Sequence, residues 1–239
     1  EGPVTSWFET GTSTAAVASV VVEPNPLRSL PYSDASPWGP RLPLRASLRD
    51  AGGNEVPFGG SLEWSTSDPD VVTLGIGSLT VAQGHELEEI ARPGSAPGTA
   101  TVSVTTGGVT GTTSVALESV AFDAFTAGYN SFRCLLSDGG APYCVGGNRM
   151  GELGLGFAGQ FHTEIPVRLP GDLLFEALSA GYEYACGLTA AGQASCWGKN
   201  ASGQLGDGTM APFRASPTPV AGSLAFQEIG AGLANTCAL

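Results

Sequence analysis

Charge is scarce in this 239-residue chain: charged residues make up 13% of it, against roughly 25% in an average soluble protein. Basic residues are the scarcer kind, 10 Lys and Arg against 22 Asp and Glu, for a net charge of −12. A surface of that sign repels phosphate and offers few cations to displace its counterions, which excludes nucleic acid as a partner. Long apolar runs are also missing. The longest, Ala15 to Val22 with Ser19 inside it, falls far short of the roughly 20 residues a helix needs to cross a bilayer. No membrane span is expected in this chain. Glu1 is not an initiator Met and no basic or apolar leader follows it, so any export signal lies outside this sequence.

Groups that do chemistry near neutral pH are equally few. Histidine is limited to His85 and His162, and neither stands beside a nucleophile in a recognisable constellation. Asp68 and Asp70 supply two oxygens where calcium takes about six to eight, so both are expected to cap a turn. No catalytic, metal-binding or cofactor-binding residue is assigned, and the chain is not expected to be an enzyme.

Glycine and proline are plentiful, at 35 and 17 residues, which suits short strands joined by many turns. Seven strands are expected before residue 118: Ser19 to Glu23, Leu42 to Leu48, Ser61 to Ser65, Val71 to Leu74, Ser78 to Ala82, Thr99 to Thr105 and Thr112 to Leu117. Alternation turns Leu62 and Trp64 to one face and Glu63 and Ser65 to the other. Seven such strands point to a two-sheet sandwich. The runs Val20-Val21-Val22-Glu23-Pro24, Leu44 to Val56, Trp64 to Val72 and Gly98 to Val104 resemble the bacterial immunoglobulin-like domain of group 2. That resemblance implies a spacer or adhesive module of a surface protein. A Pro-rich segment, Pro31 to Pro43, and a long loop from Gly84 to Pro97 depart from its pattern.

Beyond Val120 the chain repeats itself. At an offset of 52 (Cys134 to Cys186), Cys134, Leu136, Gly140, Cys144, Gly146, Asn148, Gly151, Leu153, Gly154 and Gly156 meet identical residues at 186, 188, 192, 196, 198, 200, 203, 205, 206 and 208. A third copy opens with Phe226, Ala231-Gly232, Cys237 and Leu239. A period near 50 rich in glycine means propeller blades or a solenoid, because one blade alone cannot bury its apolar face. The run Ala185 to Thr209, with Trp197, Gly198, Asn200, Gly203, Leu205 and Gly206 as its signature, resembles the regulator-of-chromosome-condensation repeat. That resemblance implies four-stranded blades of a propeller that closes with seven, of which this chain holds about two and a fraction. The expected fold is thus all-β: an extension (1–17), an immunoglobulin-like sandwich (18–118) and propeller blades (119–239) cut short in the third repeat. Gly151 to Gly156 looks like a phosphate loop, but it recurs as Gly203 to Gly208 and opens no helix, so its glycines are assigned to blade turns. Asn200-Ala201-Ser202 is a glycosylation sequon that also matches the ordinary turn of the repeat.

Cys134 and Cys144 flank the turn Ser137 to Gly140 and would face each other across a hairpin, as would Cys186 and Cys196. Zinc sites bring cysteines in closer pairs than these, so two disulfides are expected, with Cys237 unpaired in this chain and its partner expected beyond Leu239. Disulfides belong to oxidising compartments. The expected protein is therefore extracellular or at a bacterial cell surface, binding a protein or glycan with its propeller while the sandwich acts as spacer. A structural subunit self-assembling by strand addition into a filament or surface layer is the second reading. The third is a secreted inhibitor, implied by a known β-lactamase inhibitor with this kind of propeller.

Overall fold

The computed structural model describes residues 17–24, 27–31, 42, 44–56, 61–74, 78–80, 86–88, 91–129, 131–222 and 224–239. Every regular element among them is a β-strand. His85 and most of the Pro-rich segment lie outside the described residues.

The N-terminal part contains β1 (Ser19–Glu23), β2 (Leu27–Ser29), β3 (Arg45–Arg49), β4 (Ser61–Thr66), β5 (Val72–Leu74), β6 (Ser78–Thr80), β7 (Glu86–Glu88), β8 (Ala91–Pro93), β9 (Gly98–Thr106) and β10 (Val109–Leu117). The hairpin of β9 and β10 turns on Gly107 and Gly108, whose φ angles of 54° and 81° favour glycine. Along β9, alternation buries Ala100, Val102 and Val104. One sheet has the order β1-β3-β7; another runs β2-β10-β9-β4-β6, and β5 pairs with β8. Val20, Val22, Ala46 and Leu48 from the first sheet share one core with Leu62, Trp64, Val102 and Val115 from the second. Deep in it, the Thr113 hydroxyl donates to the Pro24 carbonyl at 2.8 Å. Asp68 caps its turn, its carboxylate accepting from the Asp70 amide at 2.9 Å.

Three strands are absent from the sequence expectation, and a fourth begins later than expected. The stretch Gly84 to Pro97, read as a loop, contains β7 and β8. Both are only three residues long, and each forms because a tertiary partner, β3 or β5, supplies its hydrogen bonds. Strand β2 arises in the same way. The strand read as starting at Leu42 instead begins at Arg45, and Leu42 makes a single bridge to Ala91.

The repeats follow. Strands β11 (Phe122–Ala127), β12 (Phe132–Ser137), β13 (Pro142–Gly147) and β14 (His162–Arg168) form one antiparallel blade. Strands β15 (Ala177–Ala180), β16 (Tyr184–Leu188), β17 (Ala194–Lys199) and β18 (Phe213–Pro219) form the next. Strands β19 (Ile229–Ala231) and β20 (Thr236–Ala238) make the first hairpin of a third. No closed ring of blades forms among the described residues.

The N-terminal sheet does not stop at the repeats. Strand β2 pairs in parallel with β10 and touches β14 at Ser29 and Val167, producing a nine-stranded sheet that includes the whole first blade. The Ser29 hydroxyl donates to the Pro166 carbonyl at 3.0 Å. Tyr143 of the blade donates to Glu118 at 2.8 Å, and Arg28 lies 3.6 Å from the same carboxylate. Burial, then the hydrogen bond to Glu118 and its negative charge, pushes the Tyr143 phenol well above its ordinary range. Arg45 stacks over the Phe157 ring at 4.6 Å. One hydrophobic core runs unbroken from Val20 through Val167 to Trp197.

The structure joins Cys134 to Cys144 and Cys186 to Cys196, each pair directly opposed across its hairpin with Cα atoms 4.1 and 4.0 Å apart. All four are buried and Cys237 is exposed. Replacing Cys134 and Cys144 together by Ala is expected to lower stability by about 2–3 kcal/mol on the chain-entropy account of so short a loop. Urea denaturation of the oxidised variant and wild type checks this, and the difference should vanish when both are reduced.

Candidate interaction surface on the repeat loops

The third strand of each blade leads into a loop that the sequence braces from within. In the first blade, Asn148 donates to the Phe157 carbonyl at 2.9 Å and accepts from the Leu153 amide at 3.1 Å. In the second, Asn200 donates to Asp207 at 3.1 Å and to the Thr209 carbonyl at 3.3 Å, and accepts from the Leu205 amide at 3.1 Å. Both asparagines are fully buried, so every bond that one makes replaces one to water that it has lost. The residue four places on caps the turn: Glu152 accepts from the Met150 amide at 2.6 Å, and Gln204 from the Ser202 amide at 2.9 Å. Burial raises the Glu152 carboxyl above its ordinary value, an effect that Gln204 avoids by being neutral.

Asp207 shows the opposite balance. Burial opposes its ionisation, but hydrogen bonds from Arg214, Thr209 and Asn200 outweigh this and bring its pKa to about 2. Arg214 donates to it at 2.6 Å.

Adjacent blades meet through repeated contacts. Tyr129 N–H donates to the Gly181 carbonyl and Tyr182 N–H to the Gly232 carbonyl, both at 3.2 Å. Ala180 N–H donates to the Thr126 hydroxyl at 3.0 Å, and Ala231 N–H to that of Ser179 at 2.9 Å. A side chain at Gly128 would bring its Cβ within 2.7 Å of the Gly181 carbonyl, so glycine is needed where the blades approach. Trp197 is fully buried between blades, its indole N–H donating to the Glu152 carbonyl at 2.9 Å and its ring stacked on Phe175 with centroids 6.0 Å apart.

The surface left over carries Tyr129, which is 67% exposed, beside the half-buried Tyr182, with Arg149 and Ala201 exposed on the two loops. Lys199 sits 4.6 Å over the Tyr182 ring and donates to Glu183 at 2.8 Å. These residues were not singled out from sequence. Their signal was present in the repeated Ala127-Gly128-Tyr129 and Ala180-Gly181-Tyr182. Of the signature residues, Trp197, Asn200 and Leu205 are buried, Gly198 (φ 97°) sits within β17 at an irregularity in its pairing with β18, Gly203 (φ 72°) and Gly206 (φ 65°) shape turns, and none forms a reactive cluster with the others. His162 is exposed at the start of β14. No group of three or more His, Cys, Asp or Glu side chains is placed to hold a metal among the described residues.

Fold and loops together define an all-β repeat protein with propeller-type blades. Residues 175–204 match the family model of the Regulator of chromosome condensation (RCC1) repeat. Among solved structures, Prp20p from Saccharomyces cerevisiae is 17% identical with a TM-score of 0.42, over 57% of this chain and 38% of that one. Human WBSCR16 is 14% identical with a TM-score of 0.43, over 90% of this chain and 58% of that one. Domains 4–9 of the surface layer protein SbsC are 17% identical with a TM-score of 0.29, over 90% of this chain and 32% of that one. This chain therefore spans 38% of Prp20p and 58% of WBSCR16.

Asn200→Ala is expected to lower stability by about 2–4 kcal/mol, because a buried brace is lost and its partners are stranded; thermal or urea denaturation reads this directly. The Asp207 interactions should contribute in full above its unfolded value of 3.8 and be lost as pH falls through about 2. Acid denaturation followed by circular dichroism should show this loss in wild type and not in Asp207→Asn.

Proposed function

We propose that this chain is a non-enzymatic binding protein, secreted or displayed on a bacterial cell surface, which holds a protein or glycan on the exposed positions of its repeat loops. The observation that carries the reading is a division of labour between the copies. Residues identical in the two copies, such as Asn148 and Asn200 or Leu153 and Leu205, are buried and their polar atoms serve the loops themselves. Two of the loop positions that differ, Arg149 against Ala201 and Met150 against Ser202, face solvent in whole or part, whereas Glu152 against Gln204 stays buried and keeps one capping role in both copies. A repeat of this kind keeps its fold while its surface varies, which is how repeat scaffolds acquire partners.

The two disulfides support an oxidising compartment, and the net charge of −12 speaks against nucleic acid. The N-terminal part serves in this reading as an immunoglobulin-like spacer. It is a rigid one, since β2 ties it into the first blade. Inhibition is the form that such binding takes when the partner is an enzyme. The second reading, a subunit that assembles with its own kind, draws on Phe125, which is 77% exposed on the edge strand β11.

Two measurements test the proposal. Alkylation of denatured but unreduced protein from its natural source should leave Cys134, Cys144, Cys186 and Cys196 unmodified; labelling of these four would overturn the extracellular assignment. Photo-crosslinkers at positions 149 and 201 should capture one partner saturably, with competition by unlabelled chain. Failure at both positions would remove the loop surface, and crosslinking only to further copies of the chain would favour the second reading.

A further inference from the structure

Of the 10 basic residues in the chain, two are brought face to face where the N-terminal part joins the first blade. Ser29 of β2 pairs with Val167 of β14, and antiparallel register from that pair sets Arg28 opposite Arg168. Like charges directly opposed across two strands destabilise the pairing. Glu118 lies 3.6 Å from Arg28, but its carboxylate already accepts the Tyr143 hydroxyl. Arg168 is half-buried, and among the described residues its guanidinium makes no hydrogen bond or ion pair. The blade itself does not require an arginine there: Arg168 pairs with Tyr143, and at the equivalent place in the second blade Ser195 pairs with Pro219. Arg28 and Arg168 line a cleft of about 260 Å³ with Leu169, Pro170, Gly171 and Asp172. Asp172 is exposed and forms no ion pair with either arginine among the described residues. Every lining residue belongs to β2, to β14 or to the turn that follows β14, so the cleft is complete within the chain.

We propose that this cleft binds an acidic sugar, a hexuronate unit of a glycan. Its carboxylate lies between the guanidiniums of Arg28 and Arg168, which gives Arg168 a partner and relieves the repulsion across the seam. Its hydroxyls donate to Asp172, and the apolar face of its ring packs on Pro170. An inorganic anion would leave Asp172 and Pro170 unused, and the net charge of −12 opposes a densely charged polyanion. One carboxylate among several hydroxyls matches the groups present. The cleft stands at the opposite end of β14 from the repeat loops, so this assignment and the loop surface proposed above can fail separately.

The probe is sodium D-glucuronate, titrated at low salt into the 239-residue chain and followed by calorimetry. One saturable site is expected. D-glucose, which lacks the carboxylate, should bind at least about tenfold more weakly, the scale of hydrogen bonds to a charged group, and Arg168→Gln should weaken glucuronate binding similarly. Asp172→Ala should weaken glucuronate and leave acetate unchanged. In the absence of ligand, Arg168→Gln should raise the melting temperature by removing the opposed charge, which also shows that the variant folds; a lower melting temperature would mean that Arg168 serves the seam itself and would overturn the proposal. So would the absence of saturable binding, or acetate or sulfate binding as tightly as glucuronate, the mark of an adventitious ion only. Tighter binding of N-acetyl-aspartate amide than of glucuronate would overturn the sugar assignment and point to an acidic peptide.

Discussion

A four-stranded blade has two faces and cannot cover both by itself; this constraint organises the whole repeat region. The second blade meets it by sending Trp197 into the first blade, where a backbone carbonyl and Phe175 receive it, while Leu169 and Gly154 shape the wall. The first blade in turn is covered along β14 by β2 and its neighbours, so the N-terminal part does for it what another blade would do. Burying an indole fully is worth more than any single hydrogen bond in the loops. The close blade-to-blade steps at Gly128 and Gly181 follow from bringing the sheets near enough for that burial.

The loops depend on this packing in a second way. Their turns would leave several backbone groups without partners if they relied on secondary structure alone, and Asn148 and Asn200 satisfy them from inside. Once the buried asparagine has fixed the path of the loop, the outward residues are free to change. Binding on those residues and structural economy are therefore compatible, and a rigid loop loses little entropy when a partner arrives.

The join between the two parts is a packed and hydrogen-bonded one. Arg28, Glu118 and Tyr143 link β2, β10 and the first blade within one polar cluster, and Arg45 lies over Phe157. A load or rotation applied to the N-terminal part is passed to the blade through a continuous sheet, whereas a flexible linker would absorb it.

Much of this was legible in the sequence, for physical reasons. Period-two alternation gave Leu62 and Trp64 their inward direction, since a strand in a half-buried sheet has no other way to sort its residues. The offset of 52 gave the blades and the facing cysteines, because a hairpin of fixed length sets its own cross-strand partners. Strands β2, β7 and β8 were not legible: each is three residues long and is specified by the neighbour that pairs with it. The partner of β14 was hidden for the same reason, because Ser29 and Val167 are far apart in the chain and carry no local pattern. Local periodicity and repeat spacing thus determined which elements exist and how each blade is built. Only the tertiary structure decided which sheet edges join and where Trp197 is buried.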